Sequence, residues 1–551
     1  MQKKYTKPAF KSILLSGMVM LLAVKGNAQS VYLPQSYQLY QKFNAQIYSK
    51  SSNMHTSLRP FLIDSTINNR YNELMQMGVD STRKNWFLRK IFNEHLIDIR
   101  TKDYTFYADY LPDNYIGHDF ADKSTDNEVH FKPLGFGFTT RIGSNTRGFQ
   151  VGGTIGSKFS FYTSGYENQA AYADYYTAYM RKIRFVPGQA YLRRAETYAD
   201  FSYSTAILSY TPIKQLNITL GQDKTFIGDG YRSVLLSDYS ANYPLLRLTA
   251  NLGKVQYMMM WAYLQDINLP KFDNFGSNRR KWGLFHYLDW NVSNSLSFGF
   301  FNAYIAPEAD NQGNRRGFDI NFINPVLFAS SLGPSSQPGN ALVGFTGKYK
   351  VFDKTALYGQ VLFDRFNGST FFDSNKNDNT NSVQLGLRGA DLLGVTNLNY
   401  LVEYNAVKPY TYQSPDVISA YSFYSQPLGD PFGANFREVT GLLNYTYKRF
   451  DFQGQLMYAK YGLDATSATN AGKDVTKPRD PTFTTSTIGQ GLNTNLYYAE
   501  GTVSFLMNPK YNLRFELGGL YRHQKNADGT NNAAIFTFGI RSSFRNLYHD
   551  F

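Results

Sequence analysis

A charged and aromatic run between residues 221 and 238 carries the residue types from which a sugar-binding site can be built. Its candidate ligand-binding residues are Asp223, Lys224, Asp229, Tyr231, Arg232 and Asp238. An aromatic ring can stack on a sugar ring, while carboxylates and cationic groups hydrogen-bond its hydroxyls and carboxylates. A second interpretation is equally supported: the loop folds inside the protein and its charges pair with the surrounding wall.

A second segment joins two arginines to an unusually apolar loop. Arg315 and Arg316 are further candidates for contacting an acidic ligand. The residues that follow them, up to Pro325, include phenylalanines and isoleucines. Because apolar side chains are rare in a solvated loop, we expect 317–328 to fold inward as a constriction.

Residues suited to catalysis or metal binding form no recognisable motif. The pairs His118-Asp119 and His549-Asp550 are adjacent, so on a strand their side chains would point to opposite faces. No His-x-x-x-His or Glu-x-x-His spacing occurs, and no serine lies in a G-x-S-x-G context. The chain has no cysteine, which excludes disulfides and thiolate metal sites. We therefore expect no enzymatic activity and no cofactor or metal.

The first 28 residues have the features of a secretory signal peptide. Lysines precede an apolar run from Ile13 to Val24, and small residues precede a cleavage position between Ala28 and Gln29. The weaker alternative, a membrane anchor, needs a run of about 20 apolar residues. Removing residues 1–28 lowers the formal net charge from +14 to +9. That balance suits an acidic polysaccharide or lipopolysaccharide, and it is too small and dispersed for nucleic acid.

Alternation of apolar and polar residues with period two predicts the fold. Phe536 and Phe538 share one face of the last strand, and Thr537 and Arg541 share the other. In this and other such segments the charged residues keep to one face. In a membrane barrel that face is the lumen, because Arg or Lys facing lipid costs about 2–4 kcal/mol at the bilayer midplane. The 44 tyrosines and 43 phenylalanines fit the aromatic girdles of such a barrel.

The connections between these segments alternate between short turns and long polar loops. With short turns such as 143–148 and 253–254, the count is about 18 antiparallel strands, from a first strand near 103–111 to a last at 533–544. We expect an outer-membrane β-barrel over 101–551 with both termini in the periplasm. A soluble β-sandwich or propeller is the alternative.

Residues 29–100 differ, because 35–49 and 81–99 show helical spacing. We expect a short periplasmic helical segment that plugs the lumen from below or docks on the barrel rim. A loosely attached extension is the alternative.

Four motifs resemble the capsule assembly protein Wzi-like outer-membrane family, in particular its branch known as gliding motility protein RemB. They are the run 226–238, Asn321 to Pro325, Gln426 to Pro431, and the terminus from Gly539 to Phe551. The resemblance implies an 18-stranded barrel with a periplasmic helical bundle. It also implies retention of capsular polysaccharide at the cell surface, or a role in moving cells over surfaces. No sugar-contacting residue of the family maps onto this chain.

The sequence thus favours a non-enzymatic barrel that binds or organises acidic surface polysaccharide, in contact with outer-membrane lipid and lipopolysaccharide. Motility or adhesin proteins are the other expected partners. The alternatives are a diffusion porin and a scaffold for surface adhesins.

Overall fold

Eighteen antiparallel strands close into a single barrel, which confirms the expected fold class. A computed structural model describes residues 32–63, 65–122, 129–131, 138–194, 198–272, 278–327, 338–365, 379–483 and 486–551. The signal peptide and its cleavage position between Ala28 and Gln29 lie outside the described residues. The barrel closes where the last strand pairs with the first, from Ile535 opposite Asp119 to Ile540 opposite Asn114.

The barrel strands are numbered in chain order. They are β1 Tyr104–Asp119, β2 Ile142–Ile155, β3 Phe159–Ala171, β4 Ala199–Ile213, β5 Leu216–Asp223, β6 Tyr243–Leu252, β7 Val255–Asp266, β8 Arg279–Asn291, β9 Leu296–Pro307, β10 Asn340–Phe352, β11 Thr355–Arg365, β12 Thr380–Gly389, β13 Leu398–Val407, β14 Phe436–Tyr447, β15 Phe450–Leu463, β16 Leu492–Asn508, β17 Leu513–Asn526 and β18 Gly529–Ser542. The α-helices are α1 Tyr37–Gln41, α2 Asn44–Ile47, α3 Ser65–Gln76, α4 Trp86–Phe92 and α5 Asp174–Ile183.

The two faces of the strands differ as the alternation predicts. Leu385 and Phe536 point outward and are exposed, whereas Lys348, Arg388 and Glu403 point into the lumen and are buried. No helix in the described part of the chain has the length and apolarity needed to cross a bilayer. The strands therefore present an apolar outer surface around a polar interior, as transmembrane barrels do.

Short turns gather at one end of the barrel and long connections at the other, so we call these the short-turn end and the long-loop end. The predicted turn at 143–148 is wrong, because β2 runs through it and turns at 156–158. A Cβ on Gly148 would meet the Tyr166 ring at 2.6 Å, so this glycine makes room for a neighbouring strand's side chain. The expected strict alternation also fails once, since β17 and β18 join at the long-loop end through two residues.

The N-terminal segment enters the lumen at the short-turn end. Lys50 N–H and the Ser49 hydroxyl donate to Asp353 in the turn between β10 and β11. The Lys50 N–H holds the pKa of Asp353 below its usual range. Lys42 pairs with Asp451 at the start of β15 (2.7 Å). These contacts join the N-terminal segment to the short-turn end of the barrel wall.

The predicted helix over 81–99 is only partly present. α4 begins after Asn85, whose side chain accepts the Leu88 N–H, and it ends at Phe92. Residues Ile97–Arg100 form a strand instead, paired with β1 from Ala108 to Thr105. β1 pairs with β18 only over residues 114–119, so the earlier part of this edge is free. An unpaired strand edge readily pairs with an extended segment, which explains why Ile97–Arg100 is a strand.

The expected inward constriction at 317–328 is wrong for the residues described, 317–327. This segment lies on the outer wall: Phe322 is buried against the outward-facing Leu284 and Tyr304, and Trp261 Nε1 donates to the Phe322 carbonyl (2.7 Å). The lumen beside these strands is already filled by large side chains such as Phe285. We call residues 308–327 the outer strap.

The outward orientation of β12 can be tested with a charge. Leu385→Arg places a guanidinium on the exposed outer face and should lower the free energy of unfolding in lipid vesicles by about 2–4 kcal/mol. Leu393→Arg, in the exposed short turn 390–397, is the matched control and should leave stability unchanged. Equal effects in urea titrations would contradict the assignment of the lipid-facing side.

Candidate functional site

The segment that the sequence marks as a sugar-binding loop lies inside the barrel. Residues 224–242, here called the lumen loop, connect β5 to β6, and every residue in it except Tyr231 is buried. Its Phe226–Ile227 pairs with Leu58–Arg59 of the N-terminal segment as a small antiparallel sheet. A Cβ on Gly228, whose φ is +131°, would meet the Gln360 side chain at 1.9 Å. Only glycine therefore fits this approach of the loop to the wall.

Asp229 ties the lumen loop to the N-terminal segment. Its carboxylate accepts hydrogen bonds from Tyr48 (2.9 Å), Thr56 (2.5 Å) and Ser57 (2.5 Å). The ammonium group of Lys348, on the lumen face of β10, lies 3.8 Å away. Both oxygens of this buried carboxylate are therefore already engaged by partners from the N-terminal segment, which indicates a structural role.

Arg232 ties the lumen loop to the wall and to the chain terminus. Its guanidinium is fully buried, 2.9 Å from Asp550 and 3.4 Å from Glu438. The backbone N–H groups of Tyr231 and Arg232 both donate to Glu403 on β13 (3.0 Å each). This buried cation therefore has two carboxylate partners, one on β14 and one eight residues beyond the last strand.

The chain terminus, residues 543–551, turns back into the lumen after β18. Asn546 and Tyr548 each donate to Asp238 (2.6 Å), and Arg545 pairs with Asp113 on β1 (3.0 Å). Phe551 packs among the tyrosines of α5, which belongs to a long loop. The C-terminal residues therefore lie inside the barrel, and the expected periplasmic position of both termini stays a prediction.

The connection 408–435 covers the lumen loop from the long-loop end. Tyr412 and Tyr421 donate to the carbonyls of Val234 and Leu235 (2.7 Å each). The Gln426 side chain accepts the Ala241 N–H (2.9 Å). The lumen loop is thus held from below, from above and from the side, and the barrel is closed across its middle.

The structure brings together some of the predicted site residues and separates others. Asp229, Tyr231, Arg232 and Asp238 belong to this closure, and Lys224 donates to the Asp238 carbonyl (2.8 Å). Asp223, at the end of β5, accepts from Tyr32 (2.8 Å). Arg315 and Arg316 lie apart on the outer strap. The partners that sequence reasoning missed are Glu403, Glu438 and Asp550, and the two glutamates could have been noticed as acids on the lumen face of predicted strands.

An exposed group of cations lies at the long-loop end, on a loop that sequence analysis did not single out. We call Arg181, Lys182, Arg184, Tyr191 and Arg194 the α5 patch; all are exposed. Tyr175, Tyr176 and Met180 bury the opposite face of α5. Burial, together with the nearby charge of Lys182, lowers the pKa of Lys473 to about 8. The loop therefore presents several positive charges and one tyrosine ring to solvent.

Among the described residues, no group of three or more His, Asp or Glu side chains could hold a metal ion. The arrangement provides a closed lumen and a cationic surface.

The role of Asp229 in the closure can be measured. Asp229→Ala removes the acceptor of three buried hydroxyl groups and the carboxylate beside Lys348, so the free energy of unfolding should fall by about 3–5 kcal/mol. Protease cleavage within the lumen loop should also accelerate. Asp528→Ala, in the exposed turn between β17 and β18, is the control and should change neither quantity. Equal stability of the two variants would show that Asp229 does not anchor the loop.

Comparisons with known proteins support the fold. No protein-family model matches the chain, and no curated protein is similar in sequence. Among solved structures, the chain is similar to Wzi from Escherichia coli, with a TM-score of 0.54 at 13% identity, over 93% of this chain and 99% of that one. Wzi is an outer-membrane protein involved in group 1 capsule assembly and is described as a carbohydrate-binding β-barrel. OprD from Pseudomonas aeruginosa gives a TM-score of 0.40 at 10% identity, over 79% and 93%. OccAB4 from Acinetobacter baumannii gives 0.40 at 11%, over 80% and 98%. The closed 18-stranded sheet and the likeness to Wzi thus show the fold of an outer-membrane barrel.

Proposed function

We propose that this protein is a non-enzymatic outer-membrane barrel that binds acidic surface polysaccharide at its long-loop end. The long loops then face the outside of the cell and the short turns face the periplasm, as in other outer-membrane barrels. Retention of capsule, or a link between exopolysaccharide and gliding motility or adhesion, is the cellular role we assign to this binding.

The closed lumen is the observation that carries the proposal. Arg232, Asp229 and Asp238 each contact partners from other parts of the chain, which tie the lumen loop to its surroundings. A diffusion channel needs a continuous aqueous path, which this closure opposes. A closed lumen favours a role in binding at the surface of the long-loop end. The scaffold hypothesis is also compatible with a closed lumen.

The α5 patch supplies the chemistry for an acidic glycan. Arginine forks match carboxylate groups, and an exposed ring such as Tyr191 offers a face to a sugar. Arg181 and Lys182 also lie in the last turn of α5, where cations favourably meet the helix dipole. That structural role does not explain Arg194, which lies beyond the helix. Similarity to Wzi, a carbohydrate-binding barrel, gives independent support.

Charge reversal tests the binding surface. The variant Arg181→Glu/Lys182→Glu/Arg194→Glu should weaken retention of hyaluronate by the purified barrel about tenfold at low salt, because like charges replace attractive ones. The matched control Lys50→Glu/Lys84→Glu/Lys102→Glu reverses three exposed lysines nearer the short-turn end. A wild-type barrel that retains neither hyaluronate nor other polyuronates would overturn the proposal. In cells, a deletion should be assayed for capsule retention and surface motility together.

Conductance separates the proposal from the porin alternative. The wild-type barrel in planar bilayers should show no steady ion current, because the lumen loop and the chain terminus close the path. Deleting residues 543–551 removes Asp550 and Tyr548 from their contacts with the lumen loop and should produce current fluctuations. A stable open current from the wild type would favour a diffusion channel instead.

A further inference from the structure

A cavity of about 620 Å³ lies at the short-turn end, between α3 and the inner wall of β1, β2 and β3. Tyr32 bounds it on the side of the lumen loop, where its ring stacks on Tyr162 (4.5 Å) and its hydroxyl donates to Asp223 (2.8 Å). The cavity is thus separated from the α5 patch by the closed middle of the barrel. Its size falls within the range of about 300–1,000 Å³ typical of small-molecule sites.

One wall of the cavity is a row of amide side chains on α3. Asn68, Asn72 and Gln76 follow one another at intervals of four residues, so they share one face of the helix. Tyr71 lies beside them on the same wall. Among the described residues, none of these four side chains has a hydrogen-bond partner. Each amide offers both a donor and an acceptor.

The facing wall adds hydroxyl groups and aromatic rings. Tyr107 and Ser160 line it, and their hydroxyls have no hydrogen-bond partner among the residues that the structure describes. Tyr162 also lines it and donates to Gln150 (3.3 Å). The cavity thus combines flat rings with neutral donors and acceptors left free by the protein.

Two of the titratable groups on the wall already have partners. His95 contacts Asp109 at 2.6 Å, and Arg100 contacts Asp98 at 2.9 Å. Lys510, on the turn between β16 and β17, also borders the cavity. Such a wall selects for hydrogen bonding and ring stacking over net charge.

We propose that this cavity is a second binding site, which takes a neutral saccharide from the short-turn side. Free amides and hydroxyls opposite aromatic rings match the alternating hydroxyls and flat ring faces of a sugar. A peptide would be expected to add to a strand edge, but Ile97–Arg100 already occupies the free edge of β1 here. The site does not depend on the proposed function, since its residues and its ligand chemistry differ from those of the α5 patch.

The test uses the full mature barrel in detergent with maltotetraose, cellotetraose and triacetylchitotriose as probes. Saturation-transfer NMR and calorimetry should detect binding of at least one of them. The variant Asn72→Ala/Gln76→Ala should weaken that binding about tenfold or more, because two hydrogen-bonding groups are lost. Asn69→Ala is the matched control: Asn69 is exposed on the same helix but does not line the cavity, so its loss should change nothing.

Three results would overturn the site. They are no binding of any probe at millimolar concentration, binding that the double variant leaves intact, and binding of trialanine in preference to all three sugars. The charge-reversed α5 patch should keep wild-type affinity for the neutral probes, and the α3 variant should keep hyaluronate retention. Failure of this site and failure of the proposed function therefore give different outcomes.

Discussion

The burial of Arg232 in the middle of the barrel is the interaction on which the arrangement of the lumen depends. A guanidinium removed from water destabilises a protein unless carboxylates and hydrogen-bond acceptors surround it. Here Glu438 comes from β14, Asp550 comes from the chain terminus, and Glu403 holds the adjoining backbone N–H groups. Parts of the chain more than 300 residues apart must therefore meet at one point before this charge is satisfied.

That requirement joins the end of the chain to the middle of the barrel. Asp550 follows β18 in the chain, and Gln455 on β15 also donates to its carboxylate (2.5 Å). The terminus consequently links the closure of the barrel wall to the closure of its lumen. Because the middle of the barrel is closed, its two ends are separate surfaces. The long-loop end exposes cations and a tyrosine, and the short-turn end has amides and aromatic rings.

The fold was predictable from sequence because period-two alternation acts locally on every strand. It assigned Phe536 to the outer face and Arg541 to the lumen, and the structure agrees. The site was harder to predict, because the position of a loop depends on distant partners. The residues next to Asp229 in sequence do not predict its contacts with Tyr48 and Lys348. The sequence therefore supported a sugar-binding loop and a loop folded into the lumen equally. Gly148 was misread for a related reason, since a glycine that accommodates Tyr166 from the next strand resembles a turn glycine.

The same rule of polar satisfaction explains the outer strap, which sequence reasoning placed on the wrong side of the wall. The side chains of Tyr257, His286 and Asn302 point outward from their strands. Lipid alone would offer no hydrogen-bond partners to polar groups on this face. Tyr257 lies 2.6 Å from His286 Nδ1 and donates to the Pro325 carbonyl of the strap (2.6 Å). The strap turns apolar side chains such as Ile320 and Ile323 away from the barrel. It therefore covers a polar band on the wall and presents an apolar outer surface, just as the lumen loop satisfies the charges inside.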